Sequence, residues 1–321
     1  MPTCPLCSGV AVAHYARASD IEYHTSEKQF DFYLCESCGT LFIDPMLFDR
    51  LDEIYPPNYY SFVKTDRSLV VAAKEWLDKQ RFRKILRELP GAELSVLDVG
   101  GGTGWLLDLI KSADSRVNHS SVIDIDANAG AQAELAGHGY YRGRIEEYDK
   151  TDRFDLILML NLIEHVSDPR AVLCKARTLL KPDGRLIIKT PNFDALDARL
   201  FRHRSWGGYH TPRHFVLFHK DSLERLSREC GFQTLHFSYT QGAPFWSVSI
   251  LEELRRLGLV EITAERPAIY HPIMPLLQVG AAAFDFLRRP FAKLSQMELV
   301  LGPGRSARTI ERSARIPQNA A

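Results

Sequence analysis

Four of the chain's six cysteines stand in two pairs, Cys4-Pro-Leu-Cys7 and Cys35-Glu-Ser-Cys38. Two such knuckles put four thiolates on two tight turns, which can converge as a tetrahedral S4 site suited to zinc. Four protein sulfurs leave no open position, so this metal would hold a small domain together and do no chemistry. The competing readings are disulfides, which want an oxidising compartment, and a redox pair, which wants one Cys-x-x-Cys beside a βαβ unit.

A second constellation lies in Leu94-Ser-Val-Leu-Asp-Val-Gly-Gly-Gly-Thr-Gly-Trp-Leu-Leu-Asp-Leu-Ile110. An apolar β-favouring run meets Gly100, Gly101, Gly102 and Gly104, and an apolar-periodic segment then starts a helix. Glycines at such a turn let the backbone take positive φ and let a ligand lie against bare amides at the helix N-terminus. The spacing excludes a dinucleotide fingerprint, because the sixth position from Gly100 is Trp105, and a P-loop, because no Gly-Lys-Ser/Thr follows. What remains is Asp98-x-Gly100-x-Gly102-x-Gly104. Some twenty residues on, Ser121-Val-Ile-Asp-Ile-Asp126 ends a second strand in acids; Asp124 is placed to accept from both hydroxyls of a ribose. Asp126 is the expected cap of the helix that follows.

Further chemistry-bearing residues follow a buried-strand run, Phe154–Leu160: Asn161-Leu-Ile-Glu164-His165, then Ser205-Trp-Gly-Gly-Tyr209-His210-Thr-Pro-Arg-His214. A histidine near its ordinary pKa can take a proton at neutral pH. The alternative for His210 and His214 is a structural one, hydrogen-bonding a loop that closes over a substrate.

The elements needed to position these groups read as an α/β fold. An apolar-periodic helix from Ser68 to Leu89 covers the sheet edge before the first strand, with Pro90-Gly91 ending it. Strands and helices then alternate: Lys181-Pro-Asp-Gly184 turns into a fifth strand ending at Asn192, and a helix from Ser222 to Cys230 stops at Gly231. Ligands lie across the carboxyl ends of strands in such sheets. Cys174 and Cys230 read as small core residues. Trp246 to Leu257 looks helical and amphipathic, Ile273 to Leu287 is apolar but interrupted by Pro275 and Asp285 and followed directly by Arg288 and Arg289, and Glu298-Leu-Val-Leu301 reads as a late strand.

The chain's 321 residues suit two domains or one with appendages, and forty basic residues balance forty acidic ones. That balance gives no electrostatic case for nucleic acid, leaving a small-molecule or lipid-linked substrate. The N-terminus lacks a basic n-region followed by an apolar h-region, and no run of roughly 18 apolar residues suggests a transmembrane helix, so a cytoplasmic location is expected.

The Asp98 to Gly104 turn resembles the first motif of class I S-adenosylmethionine (SAM)-dependent methyltransferases. The front end, with its two knuckles, Gly39-Thr-Leu-Phe-Ile-Asp-Pro45 and Tyr55-Pro-Pro-Asn-Tyr-Tyr60, looks like the zinc ribbon of a methyltransferase group that includes sugar C-methyltransferases and enzymes of polysaccharide and natural-product pathways. Glu164-His165-Val-Ser-Asp168-Pro169 is similar to a signature of the same group. The resemblance implies a Rossmann-like doubly wound sheet over residues 61–241, a zinc-ribbon domain over 1–60, and a helical extension with a basic tail over 242–321. It implies structural zinc on Cys4, Cys7, Cys35 and Cys38. SAM would be held by Asp98, Gly100, Gly102, Gly104, Asp124, Ile125, Asn161 and a backbone contact near Ile145, where Arg144 stands in place of the family's usual acid.

Methyl transfer to a hydroxyl needs a base, for which His214 is the first choice, with His210, Tyr209, Glu164 and His165 as the other candidate catalytic residues. Some resembling quinone-pathway O-methyltransferases bind a divalent ion with two glutamates and a histidine here, but Asn161 occupies the first glutamate position, which argues against a catalytic metal. The sugar C-methyltransferases carry Tyr-His-Glu-His in the later segment, whose first histidine matches Pro212, so O-methylation leads and carbon methylation of an activated sugar follows. A third reading is a non-catalytic SAM-binding scaffold. The extension would cap the site, form a homodimer surface, or lie as an interfacial helix on the inner face of a membrane carrying a lipid-linked acceptor.

Overall fold

The computed structural model describes residues 2–55, 69–203 and 205–304. Tyr59 and Tyr60 of the tyrosine-rich segment and the tail arginines Arg305, Arg308, Arg312 and Arg315 lie outside them.

Two sheets form the frame. The smaller contains β1 (Val12–Ala18), β2 (Phe30–Cys35) and β3 (Leu41–Asp44), paired antiparallel in that order. In β2, Phe30 and Phe32 point inward while Asp31 and Tyr33 are less buried, as period-2 alternation on a half-buried sheet requires. The fourth strand comes from far along the chain: β9 (Val216–Leu217) pairs with β3, Leu41 opposite Leu217 and Phe42 opposite Val216.

The larger sheet contains β4 (Leu94–Val99), β5 (Val117–Asp124), β6 (Gly139–Arg142), β7 (Phe154–Leu160), β8 (Leu180–Pro191), β10 (Phe232–Thr240) and β11 (Gln296–Pro303). Their order is β10-β11-β8-β7-β4-β5-β6. The five from β4 to β8 are parallel, and β11 is antiparallel to both its neighbours. From β4 the chain runs outward to β6, then returns to place β7 on β4's other side. That reversal opens a crevice at the carboxyl ends of β4 and β7. The observed fold is the expected α/β doubly wound sheet with an N-terminal cysteine cluster, and the late strand near Glu298 is β11.

Nine helices complete the described chain: α1 (Leu51–Ile54), α2 (Leu69–Arg87), α3 (Trp105–Ala113), α4 (Ala127–Leu135), α5 (Pro169–Leu179), α6 (Leu196–Leu200), α7 (Lys220–Glu229), α8 (Ala243–Arg256) and α9 (Met274–Arg288). Asp126 caps α4 through Asn128 N–H, as expected. Two readings are corrected. Helix α2 covers a face of the sheet rather than its edge: Phe82, Leu86 and Leu89 share a core with Val96, Leu106 and Leu158, while Trp76 and Leu77 are exposed. Cys174 is exposed on α5 and donates to the buried Cys230 Sγ at 2.7 Å, so only Cys230 is a core residue. The opposite face of the sheet shares one continuous core with the small sheet, running from Phe32 and Phe42 to Ile157 and Leu299.

Candidate active site

The glycine turn after β4 is shaped by what lies against each residue. Gly100, Gly102 and Gly104 have φ of +76°, +53° and +77°, where side chains are strained. A Cβ on Gly101 would lie 2.6 Å from Asp98 Cγ, and one on Gly100 would lie 2.9 Å from Leu162 Cδ1. Gly102 faces open space. The turn is thus clamped between the Asp98 carboxyl and the segment after β7, with a bare surface left for a ligand. Sequence reading passed over Gly101 because it is one of the motif's variable positions.

Asp98 itself is buried beneath the turn and does not line the cleft. Burial, reinforced by the charge of Asp124, pushes its carboxyl up to about 7. Asp124 ends β5, accepting from Gly102 N–H at 2.8 Å and from Asp126 N–H at 2.9 Å. Each oxygen keeps a second lone pair, the acceptor geometry a ribose diol needs. Both strand ends open into a cleft of about 1040 Å³, its open mouth included. One end is lined by Gly100, Asp124, the exposed Ile125, Gly143 and Ile145. Asn161 leads to the other end, where His165, Val166 and Phe215 face Phe48, Leu51 and Tyr55. That last wall, from the segment after β3, was missed; only Tyr55 carried a signal, through the tyrosine-rich resemblance. The donor set and the uncluttered turn fit SAM.

Of the five expected catalytic residues, His165 alone lines this cleft. Its Nδ1 lies 3.1 Å from the Arg213 carbonyl and 3.0 Å from Tyr55 Oη. A carbonyl only accepts, so Nδ1 carries the proton and Nε2 is the basic atom. Burial, with His210 nearby, drives its pKa down to about 3, so the ring is neutral around neutrality. His214, the first choice from sequence, is buried behind it: the rings are 4.6 Å apart, and His214 Nδ1 donates to the Gly208 carbonyl at 2.8 Å. His210 pairs with the buried Glu22. Tyr209 Oη donates to the Arg202 carbonyl at 3.0 Å, and its ring packs 4.4 Å from Phe32, away from the cleft. These partners are what a loop-holding role requires.

Glu164 is buried, accepts from Thr190 Oγ1 at 2.9 Å and leaves Oε1 unpartnered. Burial pushes it up to about 8, so it holds its proton at neutrality. Ligating atoms of Glu164, His165 and His214 all lie within 4.8 Å of one another. Asn161 is not part of this group; its Oδ1 accepts from Gln296 Nε2 at 3.1 Å.

The segment carrying His210 and His214 is held by residues sequence reading did not single out. Asp20 and Arg213, both side chains fully buried, pair at 3.0 Å. Burial opposes ionisation of Asp20, but the Arg213 charge and hydrogen bonds outweigh it and hold the carboxyl at about 2. Asp20 also accepts from Tyr23 N–H at 3.0 Å and Thr25 N–H at 2.8 Å. A lone arginine amid aromatic residues was the one available hint.

The four knuckle cysteines are free, and their sulfurs lie within 4.8 Å of one another. Gly39 N–H donates to the Cys35 carbonyl and Ser8 N–H to the Cys4 carbonyl, closing the two tight turns. This all-sulfur set fits a structural zinc.

The family described as "Methyltransferase domain" matches residues 73–236, just over half of the chain. The chain belongs to this family. The methyltransferase is 34% identical over 121 residues to the ubiquinone biosynthesis O-methyltransferase of Bradyrhizobium sp. (strain ORS 278), covering 35% of this chain and 45% of that one. It is 35% identical over 102 residues to the protein of the same description from Coxiella burnetii (strain Dugway 5J108-111), covering 30% and 43%. The chain therefore matches less than half the length of these curated relatives. Among solved structures, coclaurine N-methyltransferase bound to N-methylheliamine and SAH aligns with a TM-score of 0.50 at 15% identity, over 74% of this chain and 75% of that one, a likeness of fold. With the motif geometry above, the chain carries a class I SAM-dependent methyltransferase domain.

Proposed function

We propose that this methyltransferase moves the SAM methyl group to a hydroxyl oxygen of a small or carrier-linked acceptor, with His165 as the base. The observation that carries the reading is the Arg213 carbonyl at His165 Nδ1, which leaves Nε2 as the basic atom of the one candidate base that lines the cleft. As the acceptor oxygen forms its bond to the methyl carbon, the carbon–sulfur bond breaks and the hydroxyl proton passes to Nε2. S-adenosylhomocysteine and the methyl ether result. The protein's share is alignment, with the base supplying a further factor.

A desolvated histidine is a weak base, and it suits a hydroxyl that is already acidic, such as a phenol, better than an aliphatic alcohol. The curated relatives named for ubiquinone biosynthesis support an oxygen acceptor. The test is an acceptor screen, phenols and catechols first and sugars second, read by S-adenosylhomocysteine release. His165→Gln should keep SAM affinity and lose roughly 100-fold or more in turnover. Full turnover by that variant would overturn the assignment of the base.

A further inference from the structure

Helices α8 and α9 form an antiparallel hairpin: the Gly242 N–H at the start of α8 donates to Asp285 near the end of α9 at 3.0 Å. Met274, Ala281 and Asp285 turn inward. The other side of α9 presents Leu276, Val279, Gly280, Ala283, Phe286 and Leu287, at spacings of three, four and seven residues, which is one face of a helix. Leu276, Val279, Phe286 and Leu287 are 65–73% exposed. The stripe carries no charge, because the only acid of α9, Asp285, is buried and paired with Arg288. Leu257 and Leu259, beyond the end of α8, and Phe291, beyond the end of α9, add exposed apolar side chains at the two ends. An exposed apolar helix face of this length on a folded chain marks an interaction site.

We propose that this face seats the protein on an anionic lipid bilayer. The charges at the ends of the stripe favour that occupant. Arg256 closes α8 and Arg289 follows α9; both are exposed, and neither is in an ion pair among the described residues. An uncharged stripe with an arginine at each end can lie in the interface plane, its apolar side chains among the acyl chains and its guanidinium groups at the phosphates. A second copy laid parallel is disfavoured by the same arrangement, because it brings Arg289 against Arg289. The loop between the helices carries Glu261 and Glu265 against Arg266, one net negative charge that offsets Arg256, so the attraction for anionic lipid is carried by the Arg289 end. No described helix is long and apolar enough to cross a membrane, so the contact is peripheral.

The hairpin is fixed to the site. Ser249 Oγ on α8 accepts from Gly207 N–H at 2.8 Å, and Gln296, eight residues past α9, reaches Asn161 at the cleft. Seating would hold the cleft in a fixed position relative to the lipid surface, where an acceptor with an apolar tail resides. Membrane binding itself does not depend on the choice of base or acceptor.

The test uses the full, zinc-loaded chain and vesicles of phosphatidylcholine alone or with 30% phosphatidylglycerol. Wild type should sediment with the anionic vesicles, and Leu276→Ser/Phe286→Ser/Leu287→Ser should lose at least tenfold in affinity while keeping its thermal midpoint and SAM binding. Arg256→Gln/Arg289→Gln should weaken binding to anionic vesicles alone. Should the triple variant fold poorly, Phe286→Trp supplies the readout: its fluorescence should be quenched by brominated lipid beyond that of wild type. Wild type remaining in the supernatant, absence of that quenching, or a dimer in sedimentation velocity that the triple variant dissolves would each overturn the proposal.

Discussion

Replacing Asp20 by asparagine tests how the small sheet's β1–β2 connection holds the histidine segment. The substitution keeps the shape and removes the charge, leaving the Arg213 guanidinium buried without its counter-ion. Breaking one side of a buried pair costs about 3–5 kcal/mol, because the remaining charge keeps its desolvation penalty. At denaturant slopes of about 1–3 kcal/mol per molar, the urea midpoint should fall by roughly 1 M or more. Arg213→Met alone should cost a similar amount, since Asp20 would then be the stranded charge. The double variant Asp20→Asn/Arg213→Met should cost less than either single change. His165 supplies a local readout, because its Nδ1 proton rests on the Arg213 carbonyl: nitrogen-15 shifts of the imidazole should show a fixed Nδ1–H tautomer in wild type and exchange between tautomers in Asp20→Asn. Losses that simply add in the double variant, or an undisturbed tautomer in a destabilised Asp20→Asn protein, would refute the reasoning.

Other consequences are as direct. Asp124→Ala should weaken SAM and S-adenosylhomocysteine binding at least tenfold by calorimetry, about 1.4 kcal/mol, because its carboxylate both faces the cleft and anchors Gly102. Gly101→Ala should destabilise by about 1–3 kcal/mol in thermal or urea unfolding, since the new Cβ meets Asp98 at 2.6 Å. Stability should fall as pH rises from 6.5 toward 8, the part from Asp98 ending near 7 and that from Glu164 near 8: the folded carboxyls keep their protons to those values while the unfolded chain has released them near 4, so the folded chain binds more protons in between. Glu164→Gln should flatten that alkaline fall in thermal melts. Below pH 6.5 the sign reverses for His165, whose folded value near 3 lets only the unfolded chain take up its proton.

What could be read from the sequence was what is local. The Asp98 to Gly104 turn, the acid at Asp124 and the cap at Asp126 depend on neighbours a few residues away, and spacing alone carries them. Strand β7 was legible because a strand buried on both faces is apolar throughout. Burial at long range was not legible. Nothing in Tyr-His-Thr-Pro-Arg-His says that His214 sits behind His165, because the partners that bury it, Gly208 and the rings of His165 and His210, meet it only after the loop folds. Cys174 has the apolar character of a core residue, yet its position on α5 turns it to solvent. The role of Asp20 was hidden for the same reason, with 193 residues separating it from Arg213.

The pairing of β9 with β3 sets a timetable for the chain's birth. A ribosome that has released both cysteine knuckles has made everything a zinc ion needs, but the sheet beside them still lacks its edge strand, which arrives only when Leu217 follows Leu41 by 176 residues. At about 5–20 residues per second, that interval lasts roughly 9 to 35 seconds. Throughout it, β3 offers an unpaired backbone edge, the kind of surface that recruits a stray strand. An early metal clip on the nascent N-terminus would keep β1, β2 and β3 in register while they wait, so the zinc's contribution would lie in the order of assembly as well as in the finished fold.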